Sequence, residues 1–249
     1  MSRYIKEFAT HAEYENYIGR GDFIRPNVSI CADNPDVGHV HYNPPIDPYN
    51  GYEYVDLGLP SGLKWATCNV RADHPYDYGD YFMWGSTTPD TYNTCDWAHA
   101  PFNNGSAVYD ETYFNSVKDS VCPKGILAPE YDAVRAIMGG GWRMPTENDF
   151  TELLNNTTNA WVENYEGSGI NGRLFTSRTD DSKTLFIPAS GYRVGSSFND
   201  RGSNVNLWSS SVNTNCPIYV WSLYFSYSYC GINNSNRYFG FCLRGVKEI

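Results

Sequence analysis

Ile218-Tyr219-Val220-Trp221-Ser222-Leu223-Tyr224-Phe225-Ser226 carries the pattern from which the fold is read. Side chains of a strand alternate faces, so Leu223 and Phe225 turned to a core leave Ser222, Tyr224 and Ser226 on the other side. The run is rich in β-branched and aromatic residues, which suit a pleated, half-buried surface. Downstream, Tyr227 to Asn236 reads as a connecting loop and Arg237 to Val246 as a strand returning to the sheet. Trp208, Leu223, Phe225 and Phe241 are the expected frame, and substitutions on its exposed side should cost under about 0.5 kcal/mol each.

Around that strand the composition is narrow. From Cys216 to Cys242, 15 of 27 positions are Tyr, Ser, Asn or Cys, the mix that antibody loops use for contact area and adaptable hydrogen bonding. An Asn/Ser-rich loop beside a strand has the same composition. A second property favours the binding surface. Tyr, Ser, Cys, Ile, Phe and Gly are all reachable from an Asn codon by changing only its two adenines, whereas Trp, Lys, Glu, Gln and Met are not. The window holds no Lys, Glu, Gln or Met, and Trp221 is its one unreachable residue. Adenine-directed randomisation also explains why three of the seven cysteines fall there.

Working outward, Tyr54 to Leu59, the turn Pro60-Ser61-Gly62 and Leu63 to Val70 predict a hairpin. Residues 71 to 127 are poorly periodic and read as long loops. Pro129-Glu130 opens a short helix over Tyr131 to Met138, closed by Gly139-Gly140-Gly141. Thr146 caps a second, with Asp149 three residues on and Phe150, Leu153 and Leu154 spaced for one face. Strands are expected at Arg173 to Thr176 and Thr184 to Pro188. Two short helices among antiparallel strands and long loops make an α+β domain over 51–249. Residues 1–50, with a helical candidate at His11 to Ile18 and a Pro-rich end, form a separate segment.

Composition excludes several classes. A net charge of -10 is wrong for neutralising phosphates, so no nucleic-acid partner is expected. The N-terminus lacks the apolar run of an export signal and nothing approaches a membrane span, so synthesis in the cytoplasm without membrane insertion is expected. Cys31, Cys68, Cys95, Cys122, Cys216, Cys230 and Cys242 are scattered, without a CxxC pair, and read as mostly free thiols. Gly167 to Gly172 fits GxGxxG but precedes a strand, so it reads as a turn. His39 and His41 share a side of an extended segment with no third ligand near, and solvated histidines are the simpler reading. His74 and His99 lie in loop without evident partners. Ser209-Ser210-Ser211 has no adjacent His, and no nucleophile elbow occurs. No metal, cofactor or catalytic residue is expected.

Four landmarks carry a family resemblance: Gly140-Gly141-Trp142-Arg143-Met144-Pro145-Thr146; Phe186-Ile187-Pro188-Ala189-Ser190-Gly191-Tyr192-Arg193; Leu207-Trp208-Ser209-Ser210-Ser211; and Arg237 through Gly240-Phe241 to Leu243-Arg244-Gly245-Val246. From about Tyr52 to Val246 they resemble C-type-lectin-fold domains of Bacteroidetes and their phages. Within that fold the likeness is to variable proteins of diversity-generating retroelements, of the formylglycine-generating-enzyme-like subclass. Their C-terminal segment, here about 208–246, is rewritten at adenines. Phe8 to Tyr14, Arg25 to Ser29 and His41 to Pro44 resemble the N-termini of gut-phage structural proteins.

The resemblance implies a C-type-lectin-like fold and a receptor-binding protein of a phage tail, made in the host cytoplasm. Its partners would be a bacterial cell-surface protein or glycan and, through residues 1–50, other virion subunits; it leaves a homo-trimer open. The residues expected to be displayed are Cys216, Ile218, Tyr219, Ser222, Tyr224, Ser226, Tyr227, Tyr229, Cys230, Ile232, Asn233, Asn234, Asn236, Tyr238 and Phe239. Two alternatives stay open: a bacterial surface adhesin with the same domain, and a copper oxidase of the formylglycine-generating type. The oxidase needs a close cysteine pair, whereas Cys230 and Cys242 are twelve apart, and Arg244-Gly245-Val246 replaces its Arg-Gly-Gly-Ser run. The Glu-Pro-Asn and Trp-Asn-Asp motifs of calcium-dependent sugar binding are missing.

Overall fold

The computed structural model describes residues 50–90 and 94–248. The helical candidate at His11 to Ile18, the pair His39 and His41, and residues 1–49 of the N-terminal segment lie outside them. Tyr54–Asp56 (β1) and Lys64–Asn69 (β2) form the expected hairpin, with Tyr54 opposite Ala66. The strand Arg244–Lys247 (β11) adds on the far side of β2, so the C-terminal chain closes this three-stranded sheet.

The helical region reads largely as its capping residues dictate, with one addition. Glu111–Val121 (α1) lies inside the stretch expected to be loop, and Asp110 starts it by accepting from the Tyr113 N–H at 2.9 Å. Its Phe114 and Val121 are buried. Ala133–Met138 (α2) is capped by Asp132, whose carboxylate accepts from the Arg135 N–H at 3.1 Å and the Met144 N–H at 2.9 Å. Glu147–Asn156 (α3) has the predicted capping box: Thr146 Oγ1 accepts from the Asp149 N–H, and Asp149 Oδ2 from the Thr146 N–H. Arg143 donates to the same Asp149 Oδ2 at 2.6 Å, and its backbone bonds Val246 in both directions. The Gly140 to Thr146 landmark thus joins the start of α3 to β11.

Three further antiparallel sheets follow. Thr157–Val162 (β3), Gly172–Ser177 (β4) and Thr184–Pro188 (β5) are ordered β3-β4-β5; β3 was not expected from sequence. Tyr192–Val194 (β6) pairs with Ser197–Asn199 (β7). Asn204–Val212 (β8), Tyr219–Ser226 (β9) and Cys230–Asn236 (β10) are ordered β10-β9-β8. The segment expected to be loop is therefore mostly strand, with Asn233 opposite Ser222 and Cys230 opposite Phe225. Conversely, Arg237 to Leu243 is not the expected continuous strand. It makes single bridges at Gly240, Phe241 and Cys242, with Arg193, Phe82 and Leu207.

Among the described residues the architecture is α+β, with three α-helices rather than two and several open antiparallel sheets. A shared core of Leu57, Leu59, Trp65, Phe150, Leu153, Phe175, Leu185, Ile187, Val205, Leu207, Leu223, Phe225 and Val246 joins α3 to three of the sheets. The four frame residues named from sequence, Trp208, Leu223, Phe225 and Phe241, are all buried.

Candidate binding surface

The β9–β10 hairpin has two faces with different fates. Its pairing puts Leu223, Phe225, Cys230 and Ile232 on one face, continuing Val205 and Leu207 of β8. That face meets the core, and Cys230 and Ile232, expected to be displayed, pack against it. The reason is register: Cys230 lies opposite Phe225 and Ile232 opposite Leu223, so both share the core side. The other face carries Tyr224, Gly231 and Asn233, and with them Ser222.

Ser222 corrects the expectation in a second way, since it is fully buried. It lies opposite Trp208, whose ring stacks on Phe241 at 4.0 Å. The chain after β10 therefore folds back over this part of the face. Tyr238 and Phe239 belong to that covering segment and are half-buried. Tyr238 packs with Trp97 at 5.0 Å, and Phe239 with Tyr192 at 5.6 Å.

What remains open is concentrated at the hairpin tip. Tyr227 is 72% exposed and Tyr229 51%, with Ser228 exposed between them. Tyr229 lies 5.9 Å from Tyr224 by ring centroid, and Tyr227 lies 6.3 Å from Trp161 of β3. Ser226 is half-buried at the end of β9, and Asn233 is exposed along β10. At the opposite end, Cys216 and Ile218 sit in the β8–β9 connection, where the Tyr219 N–H donates to the Cys216 carbonyl at 3.0 Å, and Asn234 and Asn236 are half-buried beside them. A strand rises about 3.3 Å per residue, so roughly 23 Å separates the ends of β9. The displayed set thus splits into a tip cluster and a distal cluster.

Two members of the tip cluster were missed from sequence. Trp161 stands on a strand with no clear alternation, and only the pairing of β3 with β4 places it beside Tyr227. Ser228 could be assigned only once the turn was known to contain two residues.

Electrostatically the surface is plain. The window from Cys216 to Cys242 contains no Asp, Glu or Lys, and its single Arg, Arg237, is fully buried. The Arg237 guanidinium sits 3.9 Å over the Phe114 ring and 5.2 Å from Tyr109; burial lowers its pKa to about 10. Burial also pushes the Cys230 thiol up, and the Cys242 thiol up to about 12, so neither is a thiolate at neutral pH. Three strand spacings of about 4.8 Å separate Cys230 from Cys242 across β10, β9 and β8, on the order of 14 Å and far beyond disulfide reach. The six described cysteines are free.

The remaining polar landmarks have structural partners. Ser209, Ser210 and Ser211 form a bulge opposite Trp221: Ser209 Oγ donates to the Trp221 carbonyl at 2.7 Å, and Ser211 Oγ accepts from the Glu147 N–H at 3.0 Å. His74 and His99, expected to lack partners, contact Asp77 at 3.1 Å and Asp96 at 2.7 Å. Gly167 to Gly172 is a turn leading into β4, as read from sequence. Among the described residues no three His, Cys, Asp or Glu side chains cluster as a metal site, and no helix is long and apolar enough to cross a membrane. No protein-family model matches the chain, and comparison with curated proteins and with solved structures returns no match.

Proposed function

We propose that this chain is a ligand-binding display protein whose contact surface is the tip of the β9–β10 hairpin, carried on a C-type-lectin-like frame. The observation behind this reading is the pairing of exposed Tyr227 and Tyr229 with fully buried Leu223 and Phe225 on the same hairpin. Tyrosine at an exposed tip supplies large contact area with few rotamers to freeze. The absence of exposed charge from the window suits a surface selected for varied ligands, and the sequence resemblance suggests how it varies: rewriting at adenines by a retroelement. On this reading the protein belongs to a phage tail, residues 1–50 attach it to other virion subunits, and its ligand is a protein or glycan of a bacterial surface.

The separation of Cys230 and Cys242 across three strand spacings supports binding over the copper-oxidase alternative. The test is retention of the labelled full chain on Bacteroidetes cells. The pair Tyr227→Ala and Tyr229→Ala is expected to reduce retention at least tenfold with an unchanged thermal midpoint, and Phe225→Ala to lower the midpoint. Retention unaffected by the tyrosine pair would remove the tip from the binding surface.

A further inference from the structure

The hairpin tip closes through a turn of a kind that two-residue hairpins seldom use. The Ser226 N–H donates to the Tyr229 carbonyl at 2.8 Å, so Tyr227 and Ser228 form a two-residue loop. Such loops normally adopt turns with at least one positive φ, which match the strand twist and call for Gly, Asn or Asp. Here neither Tyr227 nor Ser228 has a positive φ, and neither is of those types.

The missing support comes from another sheet. Arg173 of β4 donates from Nη2 to the carbonyls of Ser226, at 2.9 Å, and Tyr227, at 3.1 Å. Its Nη1 donates to Asn159 Oδ1 at 2.6 Å, which fixes the guanidinium plane. The side chain is buried, and among the described residues it makes no ion pair with a carboxylate. Its charge is spent on neutral oxygens, two of them backbone carbonyls of the tip. Carbonyls are present whatever side chains the tip carries.

We infer that Arg173 is a positioning residue that holds the hairpin tip in one conformation independently of the side chains at Tyr227 and Ser228. This rests on the binding role proposed for the tip and extends it: the tip is ordered by a clamp outside the window, so its two residues can be exchanged without a turn-forming type. A clamp through backbone carbonyls does not depend on side-chain type, whereas a self-sufficient primed turn is confined to a few Gly-, Asn- or Asp-containing pairs.

The test is amide hydrogen exchange on the full chain without ligand, read at Ser226, so that it stands apart from any failure of the binding role. Arg173→Gln should accelerate exchange at Ser226 at least tenfold while the β5 amides change less than threefold. Adding Tyr227→Asn and Ser228→Gly to that variant should restore protection to within threefold, because the turn then forms unaided; a merely structural arginine would not be rescued this way. In the otherwise unaltered chain, Tyr227→Ala with Ser228→Ala should leave Ser226 protection within threefold, a reading that does not require the arginine variant to fold. Loss of protection in the alanine pair, unchanged protection in Arg173→Gln, or absence of rescue each overturns the clamp.

Discussion

At the scale of single residues, Asp90 shows how the frame around the covering segment is held. Its Oδ1 accepts from the Thr94 N–H and hydroxyl at 3.0 Å each, and its Oδ2 lies 3.2 Å from Cys95 Sγ and 3.4 Å from Arg193 Nη1. Arg193 in turn exchanges backbone bonds with Gly240, in the stretch that folds over Ser222 and Trp208. Burial pushes the Asp90 carboxyl up, but the bonds from Thr94 and Cys95 and the Arg193 charge outweigh it and leave its pKa below the usual carboxylate range. A carboxylate held low contributes stability that is present above its unfolded pKa, about 4, and is lost as pH falls through the folded value. Asp90→Asn is therefore expected to cost on the order of 3 kcal/mol at pH 7, since it removes the carboxylate beside the buried Arg193 and leaves Nη1 only the Asp90 backbone carbonyl. It should also flatten the fall in urea midpoint as the pH drops below about 4. A variant with the full acid-side fall would assign that loss to other carboxylates.

At the scale of elements, legibility followed how locally each element is specified. Helix α3 was readable because Thr146 and Asp149 cap it and Phe150 and Leu153 are spaced for one buried face. Thr146→Ala should cost about 1 kcal/mol, lowering the thermal midpoint by a few degrees; an unchanged midpoint would mean that Arg143 and Asp149 hold the helix start without the hydroxyl. Helix α1 was missed although its signal was present: Asp110 as cap, then Phe114, Val117 and Val121, inside a stretch otherwise crowded with Asn, Asp and Gly. Strand β10 had no such signal. Cys230-Gly231-Ile232-Asn233-Asn234-Ser235-Asn236 has little strand propensity, and it is a strand because β9 pairs with it along its whole length. That tertiary override moved Cys230 and Ile232 to the core side. Ser222 was misplaced for a related reason, since alternation along β9 reports a face but not what later covers it.

At the scale of the molecule, the described residues combine a continuous buried core with a surface window free of carboxylates and accessible cations. Buried and exposed positions interleave along one hairpin, and register keeps them apart. The proposed function extends from the protein to its gene: variation should fall on exposed codons and spare the frame. The most direct measurement is the sequence of the surrounding locus. Retroelement diversification of the tip predicts a near-copy of the window's DNA beside a reverse-transcriptase gene. That copy should differ only at adenines, at codons such as those of Tyr219, Tyr224, Tyr227, Tyr229 and Asn233, and agree at those of Trp208, Leu223, Phe225 and Phe241. A locus without such a copy, or one whose differences fall on the frame codons, would contradict it.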